Sequence, residues 1–295
     1  MKFSIVLTPS EAKKFIAKAL VNKHETFKKA LDAGHVLMHP STTTLFIHEE
    51  LTGRKPEGLW FVGAVAPWGN CISATFEEIV AQREKNFDHK NVRYAWFFKH
   101  GQLIRDITVS ECYEQMGKGD FYLKGVNAVD PQENVGILIA NPDGGTISRA
   151  KKQADERGFI IMLIATFNKL INVSIDEAAS AARDLDWSLG VKARIFKFSA
   201  GDLFNEAMAF QLFGVKATPI ASGGVNEADG AGVFVLEGEE KQLDTCLRVI
   251  DQCKGAKLPC ILPSCHQCRY DKCPNSLANK DEKGAFDWLK LDWYH

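Results

Sequence analysis

The sequence predicts an α/β fold with a mostly parallel sheet and helices on both of its faces. Two apolar segments, LWFVGAVAP within Gly58 to Pro67 and FIIMLIA from Phe159 to Ala165, are typical of strands that are buried on both faces. Further strand patterns alternate with segments of helical periodicity over roughly residues 8–200. With 295 residues, 45% of them apolar and 25% charged, the chain can form one large globular domain or two ordinary ones.

The first elements are predicted from their boundary residues. A short apolar segment, Phe3 to Leu7, precedes Thr8-Pro9-Ser10-Glu11, a T-x-x-E capping box with proline at the first helical position. We expect a helical region from there to about Gly34, then a strand from His35 to Met38. Ser41 or Thr42 caps the next helix, which continues through Leu51. The other elements expected before residue 200 are helices over residues 75–86 and 147–157 and strands over residues 92–98, 103–109, 120–124 and 134–140.

The alternation of strands and helices changes after residue 200. Two helical patterns, residues 202–213 and 239–252, enclose two strand patterns, residues 215–222 and 231–236, which are joined by a glycine-rich connection. We therefore expect an α/β core domain over residues 1–200, a small αββα unit over residues 201–255, and a cysteine-rich segment with an aromatic tail over residues 256–295.

Charge and hydropathy narrow the classes of partner. The formal net charge is −1 and the isoelectric point is near 6.7, so the chain as a whole does not attract nucleic acid or an anionic membrane. The longest apolar run, Phe159 to Phe167, is too short to span a bilayer. The N-terminus lacks the pattern of a signal peptide. We expect a cytoplasmic protein that binds neither nucleic acid nor membrane.

The first candidate ligand loop lies between the strand at residues 35–38 and the following helix. Ser41, Thr42, Thr43 and Thr44 place hydroxyl groups at a helix N-terminus, where backbone N–H groups and the positive end of the helix dipole favour a phosphate or carboxylate. The alternative is simple N-capping, for which Ser and Thr are common.

The second candidate loop follows the strand pattern at residues 134–140. Gly144, Gly145 and Thr146 open a helix, and glycines at such a turn let the backbone approach a ligand closely. The helix then carries Arg149, Lys151 and Lys152. The alternative is a tight turn followed by a solvated basic face.

Together the two loops resemble those of the superfamily that contains ribose-5-phosphate isomerase, glucosamine-6-phosphate deaminase and the CoA-transferases. Ser41-Thr42-Thr43 matches the S-T-T of its first loop, and Gly125 matches the first glycine of its D-G-A-D-E-x-D-P motif. Val129-Asp130-Pro131 matches the x-D-P of that motif, Asn134 matches the following asparagine, and Gly144-Gly145 stands where the later glycine run ends. The resemblance covers about residues 12–170 and implies a Rossmann-like sheet with a ligand cleft at the carboxyl ends of its strands.

The chain departs from that superfamily at the residues that perform its chemistry. The motif's acids fall on Lys124, Asn127 and Ala128, and the glycines before S-T-T are replaced by His39-Pro40. Asp130 is retained, although in the superfamily it is not the principal acid or base. The resemblance therefore implies a small anionic ligand, phosphorylated or CoA-like, with isomerase or transferase chemistry left unassigned. The expected ligand-binding residues are His39, Ser41, Thr42, Thr43, Asn127, Asp130, Gly144, Gly145 and Thr146, with Lys124 and Asp130 as catalytic candidates.

A cysteine cluster suggests a second function. Six of the eight cysteines fall between Cys246 and Cys273, and four of them have the spacing C-x4-C-x2-C-x4-C-P. Four thiolates this close together are typical of a site for Zn²⁺ or an iron–sulfur cluster. The single dense run that ends in Cys-Pro favours the iron–sulfur cluster, and zinc remains the alternative. The expected metal ligands are Cys260, Cys265, Cys268 and Cys273.

The cysteine cluster leaves open a non-catalytic iron–sulfur or zinc protein for electron transfer, sensing or partner contact. Cys246 and Cys253 lie on one face of the predicted helix over residues 239–252 or just after it, where they either pack in the core or add thiols near the cluster. The aromatic tail, residues 286–294, either docks on the body of the protein or mediates a homo-oligomer contact.

Overall fold

The computed structural model describes residues 1–56, 61–67, 69–73, 95–105, 107–141, 143–199 and 203–259 together with Cys273, and in these residues the protein is a mixed α/β structure with several sheets, some of them containing parallel strands. The strands are β1 Lys2–Leu7, β2 His35–Met38, β3 Phe61–Ala66, β4 Gly69–Ser73, β5 Trp96–Lys99, β6 Gln102–Ile104, β7 Phe121–Gly125, β8 Ala128–Val129, β9 Val135–Ile139, β10 Ile160–Ile164, β11 Arg194–Phe198, β12 Leu203–Phe204, β13 Lys216–Gly223 and β14 Ala231–Glu237. The helices are α1 Pro9–Lys23, α2 Glu25–Ala33, α3 Thr44–Thr52, α4 Val109–Gln115, α5 Gly145–Arg157, α6 Ile175–Ala181, α7 Glu206–Gln211 and α8 Glu240–Asp251, with 3₁₀ turns at Phe167–Lys169 and Asn226–Ala228.

The largest sheet has six strands in the order β12-β10-β7-β2-β5-β6. Strands β12, β10, β7 and β2 are parallel, whereas β5 runs antiparallel to β2 and β6 antiparallel to β5. Met38 pairs with Leu123, and Leu123 pairs with Met162, so β2, β7 and β10 are in register. Their carboxyl ends therefore lie side by side at one edge of the sheet.

Side chains of this sheet enter two separate hydrophobic cores, each of which also contains helices. Because side chains alternate along a strand, neighbouring residues enter different cores. Val36 and Met38 pack in one core with helices α1, α2, α3, α7 and α8. Leu37 and Tyr122 pack in the other core with helices α4 and α5 and with strands β8 and β9.

The predicted helical region after Thr8 forms, but as two helices. Thr8 and Glu11 make the expected reciprocal capping box, with Pro9 as the first helical residue. α1 ends at Lys23, and the Nδ1 atom of His24 then accepts the N–H of Phe27 at 3.1 Å, which caps α2. The sequence prediction missed this break because a histidine is an uncommon N-cap.

Several predicted strands lie outside the parallel sheet, which corrects the simple alternating topology. The segment Gly58 to Pro67 was expected to be buried on both faces, but among the described residues β3 pairs with β4 alone, in an antiparallel hairpin, and Val65 is 70% exposed. β9 belongs to an antiparallel sheet with β8 and β11. The strand expected over residues 103–109 ends at Ile104, and Val109 instead begins α4 after a Thr108 capping box.

The division of the chain at residues 200 and 255 stays a prediction. Two features of the fold span the first of these boundaries. β1 pairs with β14 over its whole length, and β13 completes that three-stranded sheet. Phe15 of α1 lies 4.5 Å from Phe210 of α7 between ring centroids, within a core that also contains Leu236.

In the described part of the chain, no helix is both long enough and apolar enough to cross a bilayer. The helix expected over residues 75–86, the cysteines Cys260, Cys265 and Cys268, and the aromatic tail lie outside the described residues.

Candidate functional site

A cleft of about 530 Å³ opens at the edge of the sheet where the parallel strands end. Three of its walls are the segments that follow β2, β7 and β10, as expected for ligand sites of open parallel sheets. The hairpin β3–β4 and residues 258–259 close the remaining sides. The polar residues that line the cleft are Lys13, Ser41, Thr42, Thr43, Lys124, Asn127, Thr166 and Lys169.

The segment after β2 is held by its own hydroxyl groups. The Ser41 hydroxyl accepts the backbone N–H groups of Thr43 at 3.3 Å and Thr44 at 3.1 Å, so Ser41 holds the turn that leads into α3. The N-cap residue of α3 is Thr43, which makes no side-chain cap hydrogen bond. The Thr44 hydroxyl donates to the carbonyl oxygen of His39 at 2.8 Å. These bonds fix Thr42 and Thr43 at the wall of the cleft, where their hydroxyl groups make no hydrogen bond within the described residues.

Three lysines from different parts of the chain meet at the cleft. Lys13 comes from α1, Lys124 from β7 and Lys169 from the turn after β10. Burial lowers the pKa of Lys124 to about 8. Burial, together with repulsion from Lys169, lowers the pKa of Lys13 to about 8, although attraction to Glu206 opposes this change.

The charge of these lysines is not neutralised within the described residues. No carboxylate oxygen there lies within 4.0 Å of the ammonium groups of Lys13, Lys124 or Lys169. The carboxylate of Glu206 attracts the ammonium group of Lys13. However, burial raises the pKa of Glu206 to about 7, and this carboxylate also accepts the backbone N–H of Phe167 at 2.8 Å. Buried cations without partners are costly to folding and cluster at functional sites. The cleft is thus suited electrostatically to an anion.

Asn127 lines the cleft, but both polar atoms of its side-chain amide make hydrogen bonds to the backbone. Its Nδ2 donates to the carbonyl oxygen of Gly63 at 2.8 Å, and its Oδ1 accepts the N–H of Leu138 at 2.9 Å. The side chain therefore joins hairpin β3–β4 and strand β9 to the carboxyl end of β7. Asn127 positions the walls of the cleft.

Asp130 does not line the cleft, contrary to the expectation for a ligand-binding or catalytic residue. It is 1% exposed, and its carboxylate accepts backbone N–H groups from Gln132 and Asn134 at 2.9 Å and from Ile175 at 3.0 Å. Burial alone would raise the pKa of Asp130, but the hydrogen bonds from Ile175, Asn134 and Gln132 lower it overall. Through these hydrogen bonds Asp130 stabilises the turn after β8 and holds the start of α6 against it.

The second predicted loop lies away from the cleft as well. Gly144 and Gly145 have positive φ values of 86° and 59° and turn the chain into α5. This agrees with the alternative in which the two glycines form a tight turn. Thr146 and His39 line a separate groove between α4 and α5. Of the predicted ligand-binding residues, the cleft therefore contains Ser41, Thr42, Thr43 and Asn127, and the groove contains His39 and Thr146. Asp130, Gly144 and Gly145 line neither of these two cavities.

Most of the predicted metal ligands lie outside the described residues. Cys273 is described and buried. Within the described residues, no group of three or more His, Cys, Asp or Glu side chains could hold a metal ion. Cys246 and Cys253 are fully buried in the core against helix α1, and the Cys253 thiol donates to the carbonyl oxygen of Val249 at 3.1 Å.

Sequence reasoning missed Lys13, Lys169 and Glu206. Lys13 lies on the buried side of α1 among Ala12, Phe15 and Ile16, so a lysine on an otherwise apolar helix face was the available signal. Comparison of the chain with family models, with curated proteins and with solved structures gives no match. The function is therefore inferred from the geometry of the cleft.

Proposed function

We propose that this cytoplasmic protein binds a small anionic ligand, phosphorylated or CoA-like, in the cleft at the carboxyl ends of β2, β7 and β10. The observation that carries the proposal is that Lys13, Lys124 and Lys169 all line the cleft and that none has a carboxylate partner within 4.0 Å among the described residues. An anion bound there would neutralise cations that burial otherwise disfavours. The hydroxyl groups of Thr42 and Thr43 would add hydrogen bonds to its oxygens.

The size and lining of the cleft favour an organic anion over a bare inorganic ion. A volume of about 530 Å³ lies within the range of sites for metabolites and cofactors. Ile137, Ile164, Leu258 and Pro259 give it apolar walls that a carbon skeleton would contact. The anionic group would lie toward the lysines and the rest of the ligand along these side chains.

The resemblance to the isomerase and CoA-transferase superfamily, with its Rossmann-like sheet, is part of the proposal. It is supported by the meeting of the two motif residues Ser41 and Gly125 at the cleft. A carboxylate for proton transfer is absent among the described residues that line the cleft, since Asp130 lies elsewhere. Lys124, like Lys13, has a pKa of about 8 and could exchange a proton there, and the reaction stays unassigned.

Isothermal titration with ribose 5-phosphate, coenzyme A and inorganic phosphate tests the proposal. We expect at least one organic probe to bind, and we expect Lys13→Met and Lys124→Met each to weaken it at least about tenfold. Lys28→Met is the matched control, because Lys28 is a lysine of α2 paired with Glu25 and does not line the cleft. Equal affinities for the cleft variants and the control would contradict the proposal.

We further propose a four-thiolate iron–sulfur or zinc site formed by Cys260, Cys265, Cys268 and Cys273, with a role in electron transfer, sensing or partner contact. The support comes from the sequence, in which the four cysteines have the spacing C-x4-C-x2-C-x4-C-P that is typical of a four-thiolate site. Anaerobic purification with metal analysis should give stoichiometric iron and absorbance near ~400 nm, or stoichiometric zinc without colour. Cys265→Ser should lower the metal content. Metal-free protein from anaerobic cells would refute the site.

The aromatic tail, residues 286–294, is proposed as the contact of a homo-oligomer. Light scattering of the full chain and of a Trp288→Ser, Trp293→Ser variant tests it, and identical masses at every concentration would contradict it.

A further inference from the structure

A second cavity of about 380 Å³ lies between helices α4 and α5, apart from the cleft. Val109 and Tyr113 of α4 form one wall, and Thr146 and Arg149 of α5 form the other. His39, the first residue after β2, also lines it. Pro40 and the residues after it line the cleft instead, so one chain segment borders both cavities.

His39 has an unusual environment for a polar side chain. It is 5% exposed, and its Nδ1 has no hydrogen-bond partner in the described residues. The buried hydroxyl of Tyr122 also lacks a partner there, and the two rings lie 5.4 Å apart between centroids. Burial, together with the positive charges of Lys124 and Arg149, holds the pKa of His39 well below its ordinary value, so the imidazole is neutral.

The charges of the groove are mostly positive. The groove is lined by three cationic side chains, Arg149, Lys152 and Arg157, and by one carboxylate, that of Glu114. Arg157 is engaged with Gln153 and with the carbonyl oxygen of Glu114, and Lys152 lies 4.0 Å from Glu156. The guanidinium of Arg149 has no hydrogen bond or ion pair within the described residues, although it is close enough to His39 to act on its pKa.

We propose that the groove between α4 and α5 is a second binding site, which takes the phosphate or carboxylate group of a small molecule beside Arg149 and His39. A guanidinium binds such a group through paired N–H donors, which suits Arg149. The neutral imidazole supplies one further N–H donor without adding charge. The buried ring of Tyr113, whose centroid lies 6.5 Å from that of Tyr122, gives this wall of the groove an apolar surface for the rest of the molecule.

The test is calorimetric titration of the full chain at low salt, with inorganic phosphate and citrate as separate probes for the two anionic groups. We expect Arg149→Gln and His39→Phe to weaken binding of one probe at least about tenfold. Lys151→Gln is the matched control on the same helix, because Lys151 pairs with Asp155 and does not line the groove. Arg149 is exposed, so Arg149→Gln should fold normally, and its circular dichroism spectrum checks this.

The Lys13→Met variant distinguishes binding in the groove from binding in the cleft, because Lys13 lines only the cleft. Binding that is lost in Arg149→Gln and kept in Lys13→Met supports the groove, whether or not the cleft binds an anion. Binding that is unchanged in Arg149→Gln relative to Lys151→Gln overturns the groove, and loss in Lys13→Met would then leave the cleft as the site.

Discussion

The hydroxyl of Ser41 lies against the backbone of Gly125. A Cβ at Gly125 would come within 2.5 Å of Ser41 Oγ and 2.6 Å of Ser41 Cβ. Ser41, which holds the turn into α3, is thereby packed on the last residue of β7, so the loop after β2 is positioned by its neighbouring strand. The contact holds the hydroxyl-rich wall of the cleft next to Lys124.

Gly125→Ala should displace this loop. The new methyl group must push Ser41 aside, because Cβ contacts under 3.0 Å do not persist, and the hydrogen bonds from Thr43 and Thr44 to the Ser41 hydroxyl weaken. We expect a loss of about 1–2 kcal/mol in the free energy of unfolding and about tenfold weaker binding of organic anions. Gly117→Ala is the control, since a Cβ there meets no atom within 4 Å. Unfolding and titration curves that match between the two variants would contradict this role for Gly125.

Anion binding in the cleft should weaken as the pH rises through about 8. Burial lowers the pKa of Lys13 and of Lys124 to about 8, so both lose their positive charge there, whereas an ordinary lysine stays charged. Glu206, with a pKa raised by burial to about 7, gains negative charge over an overlapping range and acts in the same direction. An organic sulfonate is a suitable probe because its own charge is constant over this pH range. Constant affinity from about pH 7 to pH 9 would contradict the prediction.

Lys124→Met should stabilise the protein while it removes binding. The pKa of Lys124 is lower in the folded protein than in the unfolded chain, so at neutral pH folding is opposed by its charge. Methionine keeps the apolar stem, and we expect the free energy of unfolding to rise by about 1–3 kcal/mol at pH 7. The difference from wild type should shrink as the pH rises from about 8 toward 10.5, where the wild-type lysine is neutral when folded. Urea unfolding of the variant and the wild type at pH 7 and at about pH 10.5 measures this difference. A destabilised variant at pH 7 would argue against uncompensated charge at this position.

Asp130→Ala should destabilise the fold without removing a cleft contact. The substitution leaves the buried N–H groups of Gln132, Asn134 and Ile175 without an acceptor, at a cost of about 2–4 kcal/mol. Because the folded pKa of Asp130 is lowered, its contribution is present above the unfolded pKa of about 3.9 and is lost as the pH falls through the lower folded value. Denaturation at neutral and acidic pH checks both statements. Unchanged stability with abolished ligand binding would instead return Asp130 to the site.

Cys246 and Cys253 should resist alkylation in the native protein. Burial raises the pKa of each thiol to about 12, and the thiolate is the reactive form. Iodoacetamide treatment followed by mass spectrometry should find both unmodified until urea is added. Rapid native modification of either residue would contradict their placement in the core.

The sequence predicted local structure well where local interactions decide it. The Thr8 capping box, strand β2 and the helix that begins near Gly145 follow from propensity, capping and periodicity. It failed for the partners of strands. The apolar pattern of β3 resembles a strand of a parallel sheet, but a two-stranded hairpin forms, and the pattern does not encode which strand lies beside it.

The candidate site shows the same division. Ser41, Thr42, Thr43 and Lys124 are recognisable from the sequence as residues at strand ends. The sequence also determined the cysteine spacing that predicts a metal site, because ligand types and short spacings are local properties. Only the tertiary structure brought Lys13 and Lys169 to the same cleft as Lys124 and placed Asp130 outside that cleft. Lys13 and Lys169 are more than a hundred positions apart in the sequence, and their charges come close only when the helices and strands pack together. That packing is a property of the complete fold and not of any local segment of the sequence.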